Sequence, residues 1–241
     1  MDTGWLSGVN RRDTVKTNIA DRLWLTLGAA TLAIVVIIVA ISGYIFTVGD
    51  PTVEPPTGVV YGSSAIALAL AASLLWWQFD EAERRSAFPL RRPTRAELAL
   101  TLVFFPLGLG AFLGGEWVAG LLGFEMEPFY AYDLTDPATF VGVVVGAVIV
   151  SPVAEELLYR GALISSLGDR GWSPVAAGFG SIAVFAGYHV FALGVAGVFA
   201  IAAWAVFPTI LRIRFDNLTG AWLLHLLNNV YAYVIVALFV V

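Results

Sequence analysis

Hydrophobic residues in this chain gather into long runs that are separated by short polar or charged segments. A run of about 20 apolar residues is long enough for a helix to cross a membrane. The pattern predicts seven such helices, at residues 23–48, 58–79, 97–122, 138–167, 173–191, 193–211 and 217–241. We therefore expect an all-α fold, a polytopic transmembrane bundle of about seven spans. Pro106 falls inside the third run and is expected to break that helix.

The same pattern divides the chain into three parts. Residues 1–22 form a polar tail, residues 23–137 a membrane part of three helices, and residues 138–241 a four-helix core. The core holds the polar side chains that interrupt otherwise apolar helices, so we expect any functional site to lie there.

The charged residues predict how the helices are oriented. If seven helices alternate from a cytoplasmic N-terminus, all thirteen Lys and Arg residues lie at or near the cytoplasmic side. The loops on the other side then carry only acidic residues, which is the positive-inside pattern. We expect the N-terminus to be cytoplasmic and the C-terminus to lie outside. The single lysine and the sequence pI near 5.0 favour a GC-rich or salt-adapted source, and so the plasma membrane of a prokaryote.

Composition narrows the class of protein further. Only 13% of the residues are charged and 59% are hydrophobic, whereas a soluble domain has about 25% charged residues. The absence of cysteine excludes disulfides, thiolate nucleophiles and Cys-ligated metals. No basic, aromatic surface pattern points to nucleic acid, so the lipid bilayer is the expected environment.

A cluster of charges interrupts the apolar run at residues 138–167. Glu155, Glu156 and Arg160 lie there, where ionised groups are costly unless they are paired or functional. Glu156 and Arg160 are four residues apart and share a helix face, which predicts an ion pair. Glu155 is turned by about 100° from Glu156, so we expect it to point elsewhere and to lack a local partner. The cluster is either a structural salt-bridge knot or a site in which Glu155 does chemistry.

Both histidines of the chain also lie in apolar runs, each with a partner four residues away. Phe185 pairs with His189, and His225 pairs with Asn229. A buried glutamate can act as a general base toward water, and a His–Asn pair can stabilise an oxyanion. Alternatively, Glu155, His189 and His225 form a His₂Glu zinc site with an open position for water. Spacing alone leaves both possibilities open.

Three short motifs follow one another on successive helices: EExxxR at residues 155–160, FxxxH at 185–189 and HxxxN at 225–229. In this order they resemble the CPBP (Abi) family, which contains type II CAAX prenyl endopeptidases and bacteriocin-processing or self-immunity proteins. The resemblance covers residues 143–230. Tyr159 stands before the arginine, where the family often has Phe.

The resemblance implies an intramembrane endopeptidase that hydrolyses a peptide bond of a membrane-associated, prenylated or otherwise lipidated substrate. It implies Glu155 as the base that activates water, His189 as its partner, and His225 with Asn229 as the oxyanion hole. Glu156 would support the site, together with Arg160 and Phe185. No cofactor would be required, with Zn²⁺ as the alternative.

Two other functions remain open from the sequence. The family also implies a non-catalytic immunity or partner-binding membrane protein on the same scaffold. A small transporter could use Glu155 and Arg160 as a proton relay, but transporters of this kind are often built from inverted repeats, and the sequence shows none.

Overall fold

The structure is a computed structural model that describes residues 18–50, 52–126 and 132–239. Within these ranges the regular structure is helical: α1 Ala20–Val48, α2 Thr57–Gln78, α3 Glu81–Ala87, α4 Arg95–Leu121, α5 Pro137–Asp169, α6 Pro174–Tyr188, α7 Val190–Phe215 and α8 Thr219–Phe239. Six of these helices are long and apolar enough to cross a membrane, so this is an all-α integral membrane protein. Most of the polar tail predicted at residues 1–22 lies outside the described residues.

The fifth predicted span is shorter than the hydrophobic run suggested. Helix α6 has 15 residues, about 22 Å, whereas the hydrocarbon core is about 30 Å thick. The helix ends where His189 caps it, and Gly194 then turns the chain with φ 64° and ψ −169°. A positive φ of this kind suits glycine, and it allows α7 to pack back along α6. The 173–191 prediction was therefore too long at its C-terminal end.

The predicted break at Pro106 was wrong. Helix α4 is continuous from Arg95 to Leu121 with Pro106 inside it. Proline removes one backbone hydrogen bond, but local adjustments and neighbouring helices let membrane helices tolerate it.

Polar contacts tie several helix ends together at one end of the bundle. The Arg22 guanidinium donates to Glu83 at 2.8 Å, and the Ile19 N–H donates to Asp169 at 2.8 Å. The Gly220 N–H donates to the Glu97 carboxylate at 2.8 Å, which joins the starts of α4 and α8. The described arginines, apart from the one inside α5, lie toward this end, whereas the loops at the opposite end carry only acidic charges among the described residues.

Glycines let the helices that frame the core approach closely. A Cβ on Gly142 of α5 would lie 2.7 Å from the Gly58 Cα of α2. A Cβ on Gly115 of α4 would lie 2.5 Å from the Phe199 carbonyl oxygen of α7. Such contacts between backbones are typical of membrane helix packing. They fix α5 against α2, and α7 against α4.

Helix α5 winds in an unusual way around the motif. Two stretches, Val141–Val150 and Glu156–Leu163, are π-helical, and Ser151–Glu155 between them is α-helical. A third π-helical stretch, Tyr231–Ile235, lies in α8. π-Helical turns are rare and often occur at functional sites.

Candidate active site

Four helices bring the polar residues of the core toward one region. Glu155 and Glu156 lie midway along α5, where α-helix changes to π-helix. His189 lies at the junction of α6 and α7, and His225 lies on α8 one helical turn before Asn229. Each side chain is thus held by a helix of the apolar bundle.

His225 lies between the two glutamates. Its Nδ1–H donates to Glu156 Oε1 at 2.9 Å, and its Nε2 lies 3.4 Å from Glu155 Oε2. Glu155 therefore has its partner on another helix, α8, rather than among its neighbours in the chain. The two nitrogens lie on different edges of the imidazole, so side chains that diverge on α5 can reach the same ring. The π-helix that begins at Glu156 also has more residues per turn, which reduces the angle between successive side chains.

The ion pair between Glu156 and Arg160 is completely enclosed. Arg160 Nη1 donates to Glu156 Oε1 at 3.2 Å, and the two side chains are 1% and 0% exposed. The Glu155 side chain, by contrast, is 14% exposed. The guanidinium of Arg160 balances the charge of the Glu156 carboxylate. Burial of charge is tolerable only when it is balanced in this way.

Aromatic rings cover the apolar side of this cluster. The Arg160 guanidinium carbon lies 4.2 Å from the centroid of the Phe185 ring and 5.9 Å from that of Trp204. The Trp204 ring also lies 4.7 Å from the His225 ring. Sequence reasoning did not single out Trp204. Its position inside an apolar helix was the available signal, because tryptophan in membrane proteins is enriched at the interfaces.

His189 makes its polar contact with the backbone. Its Nδ1–H donates to the Phe185 carbonyl oxygen at 2.8 Å, and the two rings lie 4.7 Å apart. No hydrogen bond joins His189 to Glu155 among the described residues. Because a carbonyl can only accept, Nδ1 carries the proton, and Nε2 of the neutral ring is left as an acceptor.

The Asn229 side chain bonds to a backbone carbonyl of α5 that receives no hydrogen bond from its own helix. The Asn229 Nδ2 group donates to the Ala147 oxygen at 2.9 Å. In the π-helical stretch the Ser151 N–H bonds to Gly146, and the next residue, Pro152, has no N–H to give to Ala147. A buried carbonyl needs a partner, and the Asn229 amide supplies it. One N–H of that amide is used here, and the second remains for other bonding.

Comparison with known families covers the part of the chain that holds these residues. Residues 137–231 match the family described as Type II CAAX prenyl endopeptidase Rce1-like. The chain carries an Rce1-like domain. The match includes α5, α6, α7 and most of α8, and thus all three motifs. No curated protein and no solved structure matches the chain.

The matched family is that of the CAAX-type intramembrane proteases in general, in agreement with the resemblance found from the motifs. The alternative zinc ligands are Glu155, His189 and His225. The described residues contain no group of three His, Asp or Glu side chains placed to hold a metal ion. His225 Nδ1 faces Glu156 and His189 Nδ1 faces a carbonyl, so any metal ion would have to bind the Nε2 atoms of the two rings.

Proposed function

We propose that this protein is an intramembrane endopeptidase that hydrolyses a peptide bond of a membrane-associated, lipidated substrate with a water activated by Glu155. The observation that carries the proposal is the difference between the two adjacent glutamates. Glu156 is sealed against Arg160 and His225, whereas Glu155 keeps a partly exposed carboxylate beside His225. A base must reach water to deprotonate it, so Glu155 suits that role.

In the proposed reaction, the Glu155 carboxylate takes one proton from a water as the water oxygen attacks the peptide carbonyl carbon. The free Nε2 of His189 accepts a hydrogen bond from the second proton and so orients the water. The carbonyl oxygen becomes an oxyanion, which the Nε2–H of protonated His225 and the second N–H of Asn229 stabilise. Glu155 then passes its proton to the departing nitrogen as the C–N bond breaks, which leaves a carboxylic acid and an amine.

An apolar groove on the α2 side of α5 suits a substrate with an apolar part. A cavity of about 350 Å³ lies between α2 and α5, and its lining includes Val153, Ala154 and Leu157, which flank Glu155 in the chain. Its lining is almost wholly apolar, with Ser73 as a polar member. A lipid chain could occupy such a groove without loss of hydrogen bonds.

The proposed orientation places the arginine-rich end of the bundle at the cytoplasmic side, by the positive-inside rule. The N-terminus would then be cytoplasmic and the C-terminus would lie outside, in the plasma membrane of a prokaryote. Cysteine accessibility tests this orientation directly, because the chain has no native cysteine. A cysteine at Arg92 should react with an impermeant reagent only after the cells are opened, and a cysteine at Glu54 should react in intact cells.

The decisive experiment compares wild-type protein with Glu155→Gln in proteoliposomes. The probe is a farnesylated C-a-a-X peptide with a fluorophore and quencher on either side of the scissile bond, and its unprenylated form is the control. Wild type should cleave the prenylated peptide, and Glu155→Gln should not, because an amide cannot take the proton from water. Full activity of folded Glu155→Gln would remove Glu155 from the proposed role. Cleavage of neither peptide by wild type would refute the proposed substrate class.

We propose that the reaction requires no zinc. The partner of His225 one turn along α8 is an amide, which suits a pair of hydrogen-bond donors, whereas zinc sites of the H-E-x-x-H kind place a second imidazole at that spacing. Chelator-treated, active protein should contain less than stoichiometric zinc by elemental analysis. Loss of activity on removal of stoichiometric zinc, with recovery on its return, would overturn this part of the proposal.

A further inference from the structure

Trp204 on α7 contacts three members of the motif cluster at once. Its ring centroid lies 4.7 Å from that of His225, 5.9 Å from the Arg160 guanidinium carbon and 6.2 Å from the Phe185 ring. The residue is 2% exposed, so the indole is locked among these groups. Aromatic and cation–π contacts at such distances are attractive and depend on the orientation of the ring.

We propose that Trp204 is a positioning residue that holds the His225 imidazole between the two glutamates, and that Gly108 of α4 sets the place of the indole. A Cβ on Gly108 would lie 3.2 Å from Trp204 Cδ1 and 3.4 Å from Nε1. The absence of a side chain there gives the indole room to press against His225. The proposal rests on the proposed hydrolytic function, and it adds two residues outside the three motifs.

The need for such a support follows from how His225 is held. The two carboxylates contact the ring at its nitrogen atoms, and these contacts leave its faces without support. Phe185 meets the ring edge-on, at 86° and 6.1 Å, and Trp204 is closer and more nearly parallel, at 59°. If Trp204 is removed, the imidazole can tilt, and its Nε2 no longer points at the place of the reacting oxygen.

Gly108 extends the site beyond the Rce1-like domain. It lies in α4, outside residues 137–231, and α4 packs along α7, whose Trp204 lies close to both Gly108 and His225. The membrane helices before residue 137 would thus complete the catalytic geometry in addition to anchoring the domain.

The first test compares substitutions of two aromatic residues of α7. Trp204→Leu should lower kcat on the farnesylated peptide by about 10²-fold, the cost of a misplaced catalytic group, with KM little changed. Trp204→Phe should restore most of the activity because it keeps a ring against His225. Phe207→Leu is the matched control, since Phe207 packs its ring on Phe104 of α4 rather than on the cluster.

The second test makes the same perturbation from α4. Gly108→Val should push the indole and lower kcat in the same way as Trp204→Leu. Gly114→Val is the control on the same helix, because a Cβ at Gly114 meets no atom within 4 Å. If the larger variants do not fold, Gly108→Ala takes the place of Gly108→Val in this test. Its Cβ requires the indole to move by only a few tenths of an ångström.

The third test is independent of activity. The chain has two histidines, so ¹⁵N-histidine labelling gives the NMR signals of His189 and His225 alone. In wild type the His225 Nδ1 should appear protonated, and Trp204→Leu and Gly108→Val should shift or broaden the ¹⁵N signals of His225 while those of His189 stay in place. Wild-type ¹⁵N signals and wild-type kcat in folded Trp204→Leu and Gly108→Val would overturn the proposal. Altered His225 signals in a protein whose wild type cleaves neither peptide would instead reject the proposed substrate class and keep the positioning role.

Discussion

Replacing Glu156 by glutamine should destabilise the protein far more than the same change at Glu155. The two residues are neighbours and the substitution is identical, so the difference isolates their surroundings. Glu156 accepts hydrogen bonds from Arg160 at 3.2 Å and from His225 at 2.9 Å, and all three side chains are buried. Glutamine keeps an oxygen for these donors, but it leaves the charge of Arg160 without its carboxylate.

The size of the effect follows from the burial of the pair. Removing one partner of a buried ion pair costs about 3–5 kcal/mol, because the other charge stays buried and uncompensated. The amide oxygen retains part of the hydrogen bonding, so we expect about 3 kcal/mol for Glu156→Gln. The Glu155 carboxylate is partly exposed and lies 3.4 Å from its partner. Its loss should cost about 1 kcal/mol or less, the range of an ion pair that water can reach.

Equilibrium unfolding in mixed micelles of dodecyl maltoside and SDS, followed by far-UV circular dichroism, measures both values. The Glu156→Gln/Arg160→Gln double variant is the internal control. Because it removes both charges, it should be more stable than the sum of the two single effects predicts. If Glu156→Gln is as stable as Glu155→Gln, or if the single effects are simply additive, the buried pair does not behave as an ion pair and the division of roles between the glutamates is wrong.

Three further predictions concern other parts of the molecule. Asn229→Ala should lower kcat by about 10²–10³-fold, as for the loss of one oxyanion donor, and steady-state cleavage of the farnesylated peptide measures it. The hydrogen bond from Arg22 lowers the pKa of Glu83 below its ordinary 4.5. Ionised Glu83 therefore stabilises the folded protein above pH 4.5, and this stabilisation is lost as the pH falls through the lowered pKa. An Arg22→Leu variant should lose this acid-dependent change in the unfolding midpoint. Gly142→Ala should lower the unfolding midpoint because its Cβ would meet the α2 backbone at 2.7 Å, whereas Gly62→Ala, which meets nothing within 4 Å, should not.

The transmembrane helices could be predicted because lipid imposes a simple rule on them. A span must be long, apolar and helical to satisfy its backbone, and the helix bounds at α1, α2 and α4 lie within three residues of the hydrophobic runs. The rule fails where a helix need not span the full membrane. Helix α6 ends at its His189 cap because of the turn at Gly194, and apolar residues continue through that turn, so hydrophobicity does not mark it.

The site could be predicted only as a set of residues. The spacing of four between Glu156 and Arg160 is local and survives in the structure, because both lie on one helix. The contact of His225 with both glutamates joins α5 to α8 across about 70 positions of sequence, and the packing of the helices determines it. Trp204 reaches the cluster for the same reason, and it belongs to no motif that a single sequence could reveal.

Asn229 shows how a local rule and a distant contact combine. Proline has no backbone N–H, so the sequence alone shows that residue 152 cannot donate a backbone hydrogen bond. Its effect here depends on the π-helical winding of Val141–Val150, which directs the Ser151 N–H to Gly146 and leaves the Ala147 oxygen for the Asn229 amide. In a regular α-helix the Ser151 N–H would bond to Ala147, and Pro152 would instead leave the Val148 oxygen without a helical donor. The orientation of Asn229 on α8 is therefore set by the backbone of α5, about two turns before Glu155. The side chains of α5 give no sign of the π-helical winding on which this depends.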